Sequence, residues 1–141
     1  MHTKKQPYVM GLEKMIDVDL DNVDTVTLPV VFHVVHTGTT QENNISDEQI
    51  FSQVAVLNEE FEDSKIQFCM AVRDPDGNPT NGITRYDASW NNQYVVEGVS
   101  NGQGDEGWDQ QDMKENSGCW NPDEYINYYV VSEINGNDGG N

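Results

Sequence analysis

The segment from Val26 to Val72 decides the fold of this chain. It begins with VTLPVVFHVVH (Val26–His36), a run dense in β-branched residues that is followed by the turn residues Thr37 and Gly38. This composition is typical of a strand. Because the run is almost continuously apolar, we expect both faces of the strand to be covered. Pro29 lies near its start, where a missing backbone donor is tolerated.

A helix is predicted after this strand. Ser46 with Gln49 three residues later forms a capping box, and acidic residues occupy the first turn, where the helix dipole favours them. Apolar residues then recur at helical spacing and give one stripe along a helix that continues to Glu62. The stripe consists of Ile50, Val54, Leu57 and Phe61.

A second strand is predicted over Ile66–Val72, where apolar residues alternate with others until the turn DPDGNP (Asp74–Pro79). A strand, a helix and a strand with short connections form a βαβ unit, with parallel strands and a right-handed crossover. The sequence therefore predicts an α/β fold, a twisted mixed and mostly parallel sheet with one long helix packed on one face.

Further extended segments are predicted over Gly82–Asp87 and Tyr125–Ile134, with Ile126, Tyr128 and Val130 of the latter on one face. Between these segments, residues 89–118 are rich in Asn, Gln, Gly and acidic residues. We interpret these thirty or so residues as a functional excursion or a mobile loop, because long irregular segments are uncommon inside compact domains.

Composition argues against several classes of partner. The chain has 141 residues, of which 7 are Lys or Arg and 25 are Asp or Glu, for a net charge of −18. Phosphate backbones and anionic membranes favour basic partners, so neither nucleic acid nor membrane is expected. No stretch approaches the ~20 apolar residues of a membrane span, and no signal peptide is visible in this sequence.

Few residues are candidates for chemistry. His33 and His36 lie three apart on a strand, so their rings are expected on opposite faces, where they cannot chelate one ion. An acidic cluster in the excursion has two interpretations, a calcium site and a solvated acidic loop. The cluster comprises Asp105, Glu106, Asp109 and Asp112. No GxSxG, phosphate-binding glycine loop or HExxH motif occurs, so no catalytic residue and no metal ligand is assigned.

Cys69 and Cys119 are the only cysteines of the chain. They are too few for a Cys-rich zinc site and lack CxxC spacing. In a secreted protein they could pair and close a loop of about fifty residues, which the chain-entropy model values at roughly 3–4 kcal/mol. Cys69 and Cys119 are therefore a candidate disulfide. The alternative is that both remain free thiols.

Four segments in a fixed order resemble the N-terminal part of the pappalysin (cytophagalysin) family of metzincin zinc metallopeptidases. They are LPVVFHVVH (28–36), ISDEQIFSQVAVLNEEFE (45–62), IQFCMAVRDPDGNPTNGITR (66–85) and WNPDEYINYYVV (120–131). The resemblance covers roughly residues 26–131 and is weakest between residues 89 and 118. The matched residues belong to the scaffold: Phe32, Val34, Val54, Leu57, Phe61, Phe68 and Met70.

The resemblance implies a metzincin-type upper subdomain and a zinc enzyme. In this family a helix carries HExxHxxGxxH, in which three histidines hold zinc and the glutamate is the general base. No position of this sequence matches that motif, so no functional residue is carried over. The resemblance implies that residues 26–141 form the N-terminal upper subdomain, cut before the zinc-binding helix, and that residues 1–25 are a lead-in or a pro-segment remnant.

The leading hypothesis is an N-terminal fragment of a secreted zinc metalloendopeptidase that frames the upper wall of the cleft. Its complete parent would bind zinc and act on protein or peptide substrates, whereas these residues alone should be inactive. An unpaired sheet edge would favour self-association of the chain. The alternative is a stand-alone, non-catalytic secreted binding module that uses the 89–118 loop, with Trp90, Tyr94 and Trp108 as aromatic platforms.

Overall fold

The computed structural model describes residues 8–10, 25–38, 44–102 and 106–135. Within this part of the chain, no helix is both long and apolar enough to cross a membrane. The elements in chain order are β1 (Tyr8–Met10), β2 (Val26–His36), α1 (Asp47–Glu60), β3 (Ile66–Met70), β4 (Ile83–Asp87), α2 (Asn92–Glu97), β5 (Val99–Ser100), α3 (Gln110–Ser117), β6 (Ile126–Val131) and β7 (Ile134–Asn135).

Strand β2 lies at the centre of a five-stranded sheet. On one side, β3 pairs with the first half of β2 and β4 pairs with the second half. On the other side β6 pairs with β2, and all three neighbours are parallel to it. Strand β1 pairs antiparallel with the far side of β6. The predicted α/β fold with a mixed, mostly parallel sheet is confirmed.

Strands β3 and β4 form one interrupted edge strand. The N–H of Ala71 donates to the carbonyl of Val30 at 2.9 Å, and the N–H of Phe32 donates to the carbonyl of Gly82 at 2.8 Å. Residues 72–81 leave the sheet between these two bonds, which is why β3 ends at Met70 and not at the predicted Val72. Gly82 returns with a φ of 82°, and a Cβ there would lie 2.9 Å from the Met70 side chain.

Helix α1 begins as its capping box predicts. The N–H of Gln49 donates to Ser46 Oγ at 3.2 Å, and the Gln49 side chain accepts from the Ser46 N–H at 3.1 Å. The helix ends at Glu60, two residues before the predicted end. Of its apolar stripe, Ile50 and Val54 are buried, while Leu57 and Phe61 are partly buried against the same core.

The core under α1 is built from alternate residues of the strands. The rings of Phe32 and Tyr128, which face each other in register, stack with centroids 4.9 Å apart. Ile126, Tyr128 and Val130 share this face, as predicted. All the scaffold residues named above contribute, with Phe32, Val34, Val54 and Phe68 buried and Leu57, Phe61 and Met70 partly buried.

The outer edge of β3 is closed by a side chain of α1. Asn58 Oδ1 accepts from the N–H of Phe68 at 2.7 Å, and Asn58 Nδ2 donates to the carbonyl of Phe68 at 3.0 Å. The amide group thus makes the two bonds that a neighbouring strand would make. Such capping protects an edge strand from pairing with another chain. Self-association of the protein, expected from its sequence, stays a prediction.

The described part of residues 89–118 contains regular secondary structure, which the interpretation as a mobile loop did not predict, and a functional role for this segment stays a prediction. Helices α2 and α3 and strand β5 cover the second face of the sheet and enclose a second core. Each short helix is anchored by one buried side chain, Tyr94 in α2 and Met113 in α3. Composition averages conceal such single anchors, because the rest of each helix is polar. Strand β2 is therefore covered on both faces, as predicted.

Gly82→Ala is expected to destabilise the protein more than Gly77→Ala. Both glycines have positive φ values, 82° and 86°, and an L residue in the left-handed region costs about 1–2 kcal/mol. Only at Gly82 does the added Cβ also meet Met70 and Ala71, since nothing lies within 4 Å at Gly77. Overpacking adds about 1–3 kcal/mol. Urea unfolding of the two variants measures the difference, and equal losses would contradict the close packing of Gly82 against Met70 and Ala71.

Candidate functional site

A polar network crosses the sheet at His33, which is 1% exposed. His33 Nδ1 lies 2.7 Å from Thr84 Oγ1 on β4, and His33 Nε2 lies 2.7 Å from Asn127 Oδ1 on β6. Because an amide oxygen can only accept, Nε2 carries the proton and Nδ1 accepts from the hydroxyl. One imidazole thus joins three parallel strands, and both of its nitrogens are used.

Asn127 extends the network to the loop before β6. Its Oδ1 accepts from the N–H of Trp120 at 2.9 Å, and its Nδ2 donates to the Trp120 carbonyl at 2.8 Å. The ring of His33 stacks on Tyr129 at 4.8 Å and meets Trp120 edge-on at 6.1 Å. Burial lowers the pKa of His33, against a smaller opposing effect of the Asn127 hydrogen bond. The arrangement favours a neutral, structural histidine.

His36 lies on the opposite face of β2 from His33, because the two residues differ by an odd number of positions. It pairs in register with Asp87 of β4. The pKa of Asp87 is lowered first by its hydrogen bonds with Ser89, and also by the charge of His36. The two histidines do not converge. Among the described residues, no group of three His, Cys, Asp or Glu side chains is placed to hold a metal.

The two cysteines are exposed free thiols in the structure. Cys69 lies on β3 in register with Pro29, and burial raises its pKa. Cys119 follows α3, and its Sγ lies 3.6 Å from the carbonyl oxygen of Trp120. Burial, and then a hydrogen bond with Cys119, raises the pKa of Tyr129. The disulfide between Cys69 and Cys119 stays a prediction, which alkylation of the unreduced protein would test.

Two residues of the acidic cluster at 105–112 have structural roles. Asp109 Oδ2 accepts from the N–H of Asp112 at 3.0 Å and so caps α3. Asp112 Oδ2 accepts from the indole N–H of Trp108 at 2.9 Å. Glu106 is exposed, and Asp105 lies outside the described residues. A calcium ion at this cluster therefore stays a prediction.

The aromatic platform expected at residues 89–118 is wrong for two of its three members. Tyr94 is 0% exposed and Trp108 is 3% exposed, and their rings meet at 5.7 Å within the second core. Trp90 is exposed, and its ring packs edge-on against Trp108 at 5.4 Å. The aromatic residues of this layer anchor it to the sheet, so the binding-module hypothesis loses its main support.

Several structural side chains were missed by sequence reasoning. Asn127 interrupts the apolar strand INYYVV (126–131), and a lone polar residue in such a strand indicates a buried partner. Arg85 of β4 forms an ion pair with Asp47 at 2.5 Å and donates to the carbonyl of Ile45 at 2.8 Å. It thereby fixes the first turn of α1 to the sheet. No sequence motif marks this pairing.

Two surface cavities lie among the described residues. One of about 460 Å³ is lined by Ser100, Asn101, Gly102, Asp109 and Gln110. The other, of about 260 Å³, is lined by Pro29, Ala71, Val72, Arg73, Glu124 and Tyr125. Neither lining contains a histidine or a cysteine.

The chain is similar to mirolysin, a metallopeptidase. Mirolysin in complex with compound 9 is 34% identical, with a TM-score of 0.55, and the match covers 74% of this chain and 42% of that chain. Mature mirolysin of Tannerella forsythia in complex with a cleaved peptide is 32% identical, with a TM-score of 0.53 and the same coverage of 74% and 42%. No family model matches this chain, and no curated protein matches it.

This likeness supports a metallopeptidase fold for the chain. The chain spans 42% of the length of the mirolysin structures that it matches. The neighbours that support this fold are proteases, which are hydrolases. Membership of the pappalysin family in particular stays a prediction.

His33→Gln is expected to weaken the pH dependence of stability. Because burial lowers the pKa of His33 below its ordinary value of 6.5, the unfolded chain binds this proton more readily than the folded chain. The wild-type protein therefore loses stability as the pH falls below about 6.5, by up to about 1.4 kcal/mol per pH unit from this group. Unfolding free energies between about pH 5 and pH 7 measure the loss.

His36→Gln is the matched control, because it leaves the network of His33, Thr84 and Asn127 intact. Carboxylates titrate in all three proteins, so the difference between the pH profiles isolates His33. NMR titration of the wild-type imidazole gives a second measurement that needs no variant. A His33 pKa at or above 6.5 would contradict the buried neutral imidazole.

Proposed function

We propose that this chain is the N-terminal part of the catalytic domain of a secreted zinc metalloendopeptidase of the pappalysin type. Residues 26–141 form the upper subdomain, and residues 1–25 precede it as a lead-in or pro-segment remnant. The chain builds the scaffold of the upper cleft wall. The parent protein cleaves peptide bonds in proteins or peptides.

One observation carries the proposal, the 34% identity to mirolysin over 74% of this chain. A second mirolysin structure holds a cleaved peptide, which supports a peptide as the substrate class of the parent.

The described residues of this chain do not fit a zinc site. Its histidines are His2, His33 and His36, and catalytic zinc needs three protein ligands and an open position. Both nitrogens of His33 are hydrogen-bonded, and His36 lies on the other face of β2. His2 lies outside the described residues. In the proposed function the metal ligands and the general base belong to the part of the parent that this chain does not include.

The contribution of this chain is positional. The His33 network holds β4, β2 and β6 in register through two hydrogen bonds of 2.7 Å. Arg85 fixes α1 to β4, and Asn58 fixes it to β3. A wall that is tied at these points keeps its geometry when a substrate binds, and positional accuracy of this kind is worth orders of magnitude in rate.

The experiment compares this chain with the longer protein that its gene encodes. The longer protein is expected to contain HExxHxxGxxH within several tens of residues after Asn141 and to cleave a casein or peptide substrate. A chelator should abolish the cleavage and added zinc should restore it. The 141-residue chain alone should show no cleavage under the same conditions.

The matched control is the longer protein with the glutamate of HExxH replaced by alanine, which should bind zinc but not cleave. Chelator-sensitive cleavage by the 141-residue chain would contradict the assignment of the chemistry to other residues. A longer protein without the motif, or with cleavage that chelators do not affect, would contradict the proposed function itself.

A further inference from the structure

The hydroxyl of Tyr94 joins the ends of two central strands. It donates to the carbonyl of Val35 in β2 at 2.6 Å and accepts from the N–H of Ser132 at 3.0 Å. Tyr94 is 0% exposed. A hydroxyl both donates and accepts, so this one group bonds a carbonyl on one strand and an amide just past the other.

The position of this bridge is specific. The register of β2 with β6 extends to the pair Val34 and Val130. Immediately beyond that pair, the Tyr94 hydroxyl takes the place of a direct strand-to-strand bond. The phenol therefore fills the point at which β2 and the chain leaving β6 diverge.

Contacts of its backbone and ring hold Tyr94 in place. Its N–H donates to Asn91 Oδ1 at 3.1 Å, and its carbonyl accepts from the N–H of Gly98 at 2.9 Å. Its ring packs against Trp108. Backbone and ring are thus held independently of the hydroxyl, so the two hydroxyl bonds are not needed to place the side chain.

The same corner of the molecule holds the residues after Ser132. The N–H of Val99 donates to the carbonyl of Glu133 at 2.9 Å. At Gly98 a Cβ would lie 2.4 Å from that carbonyl oxygen, so the two backbones touch there. Strand β5 then pairs in parallel with β7 (Ile134–Asn135). Contacts therefore hold the four successive residues that follow β6, which are 132–135.

We propose that Tyr94 is a positioning residue whose hydroxyl sets the path by which the chain leaves β6. Packing alone does not explain the residue, because phenylalanine would fill the same space without the two bonds. The part of the inference that concerns activity rests on the proposed function, since it requires that residues after Asn135 help to form the cleft of the parent. The part of the inference that concerns the path of the chain is independent of the proposed function.

The first experiment measures amide hydrogen exchange in Tyr94→Phe. The amide of Ser132 is expected to exchange at least about tenfold faster, because its buried acceptor is lost, and the amide of Val99 should follow it. Amides at the centre of β2 should keep their rates. Tyr125→Phe is the matched control, since its hydroxyl bonds the carbonyl of Arg73, a residue outside this corner.

An unchanged exchange rate at Ser132 in Tyr94→Phe would overturn the proposal. If that variant does not fold, the exchange rate of the Ser132 amide is measured in the wild-type protein. The proposal predicts that this amide exchanges much more slowly than exposed amides. Exchange at the rate of exposed amides overturns the proposal. Gly98→Ala supplies a second variant with Tyr94 intact, in which the displaced Glu133 carbonyl should speed exchange at Val99.

The second experiment uses the longer protein and peptide cleavage. At a temperature where all proteins are fully folded, Tyr94→Phe should lower kcat/KM about tenfold, as expected for the loss of one or two buried hydrogen bonds. Tyr125→Phe should match the wild type. If the wild type cleaves and Tyr94→Phe cleaves equally well, the positioning role is wrong. If the wild type does not cleave, the proposed function fails, and the exchange result still decides the path of the chain.

Discussion

Burial of β2 on both faces is the constraint on which the rest of this structure depends. A strand with two apolar faces needs two covering layers. Helix α1 supplies one layer, and α2, β5 and α3 supply the other. The neighbours β3, β4 and β6 are all parallel to β2, which requires crossover connections and therefore places helices on the faces.

The centre of this strand carries one polar side chain, and the sheet is arranged to satisfy it. His33 finds Thr84 on one neighbouring strand and Asn127 on the other. An unsatisfied buried group would cost about 1–3 kcal/mol, so a shift of either neighbour by one residue is penalised. We infer that the network fixes the register of three strands as well as stabilising them.

The sequence predicted elements whose signal is periodic. The capping box at Ser46, the stripe through Ile50 and Val54, and the shared face of Ile126 and Tyr128 are confirmed. The layer over the second face was missed because its helices are short and polar, with one buried anchor each. The role of Tyr94 was also missed, since its partners, Val35 and Ser132, come together only through the register of β2 with β6.

In the proposed function, this chain supplies the structural wall and the remainder of a longer protein supplies the metal chemistry. The most direct test is the zinc content of the two purified proteins after dialysis, measured by mass spectrometry. We expect about one zinc per chain in the longer protein, and far less than one in the 141-residue chain. One tightly held zinc in the short chain, or none in the longer protein, would contradict it.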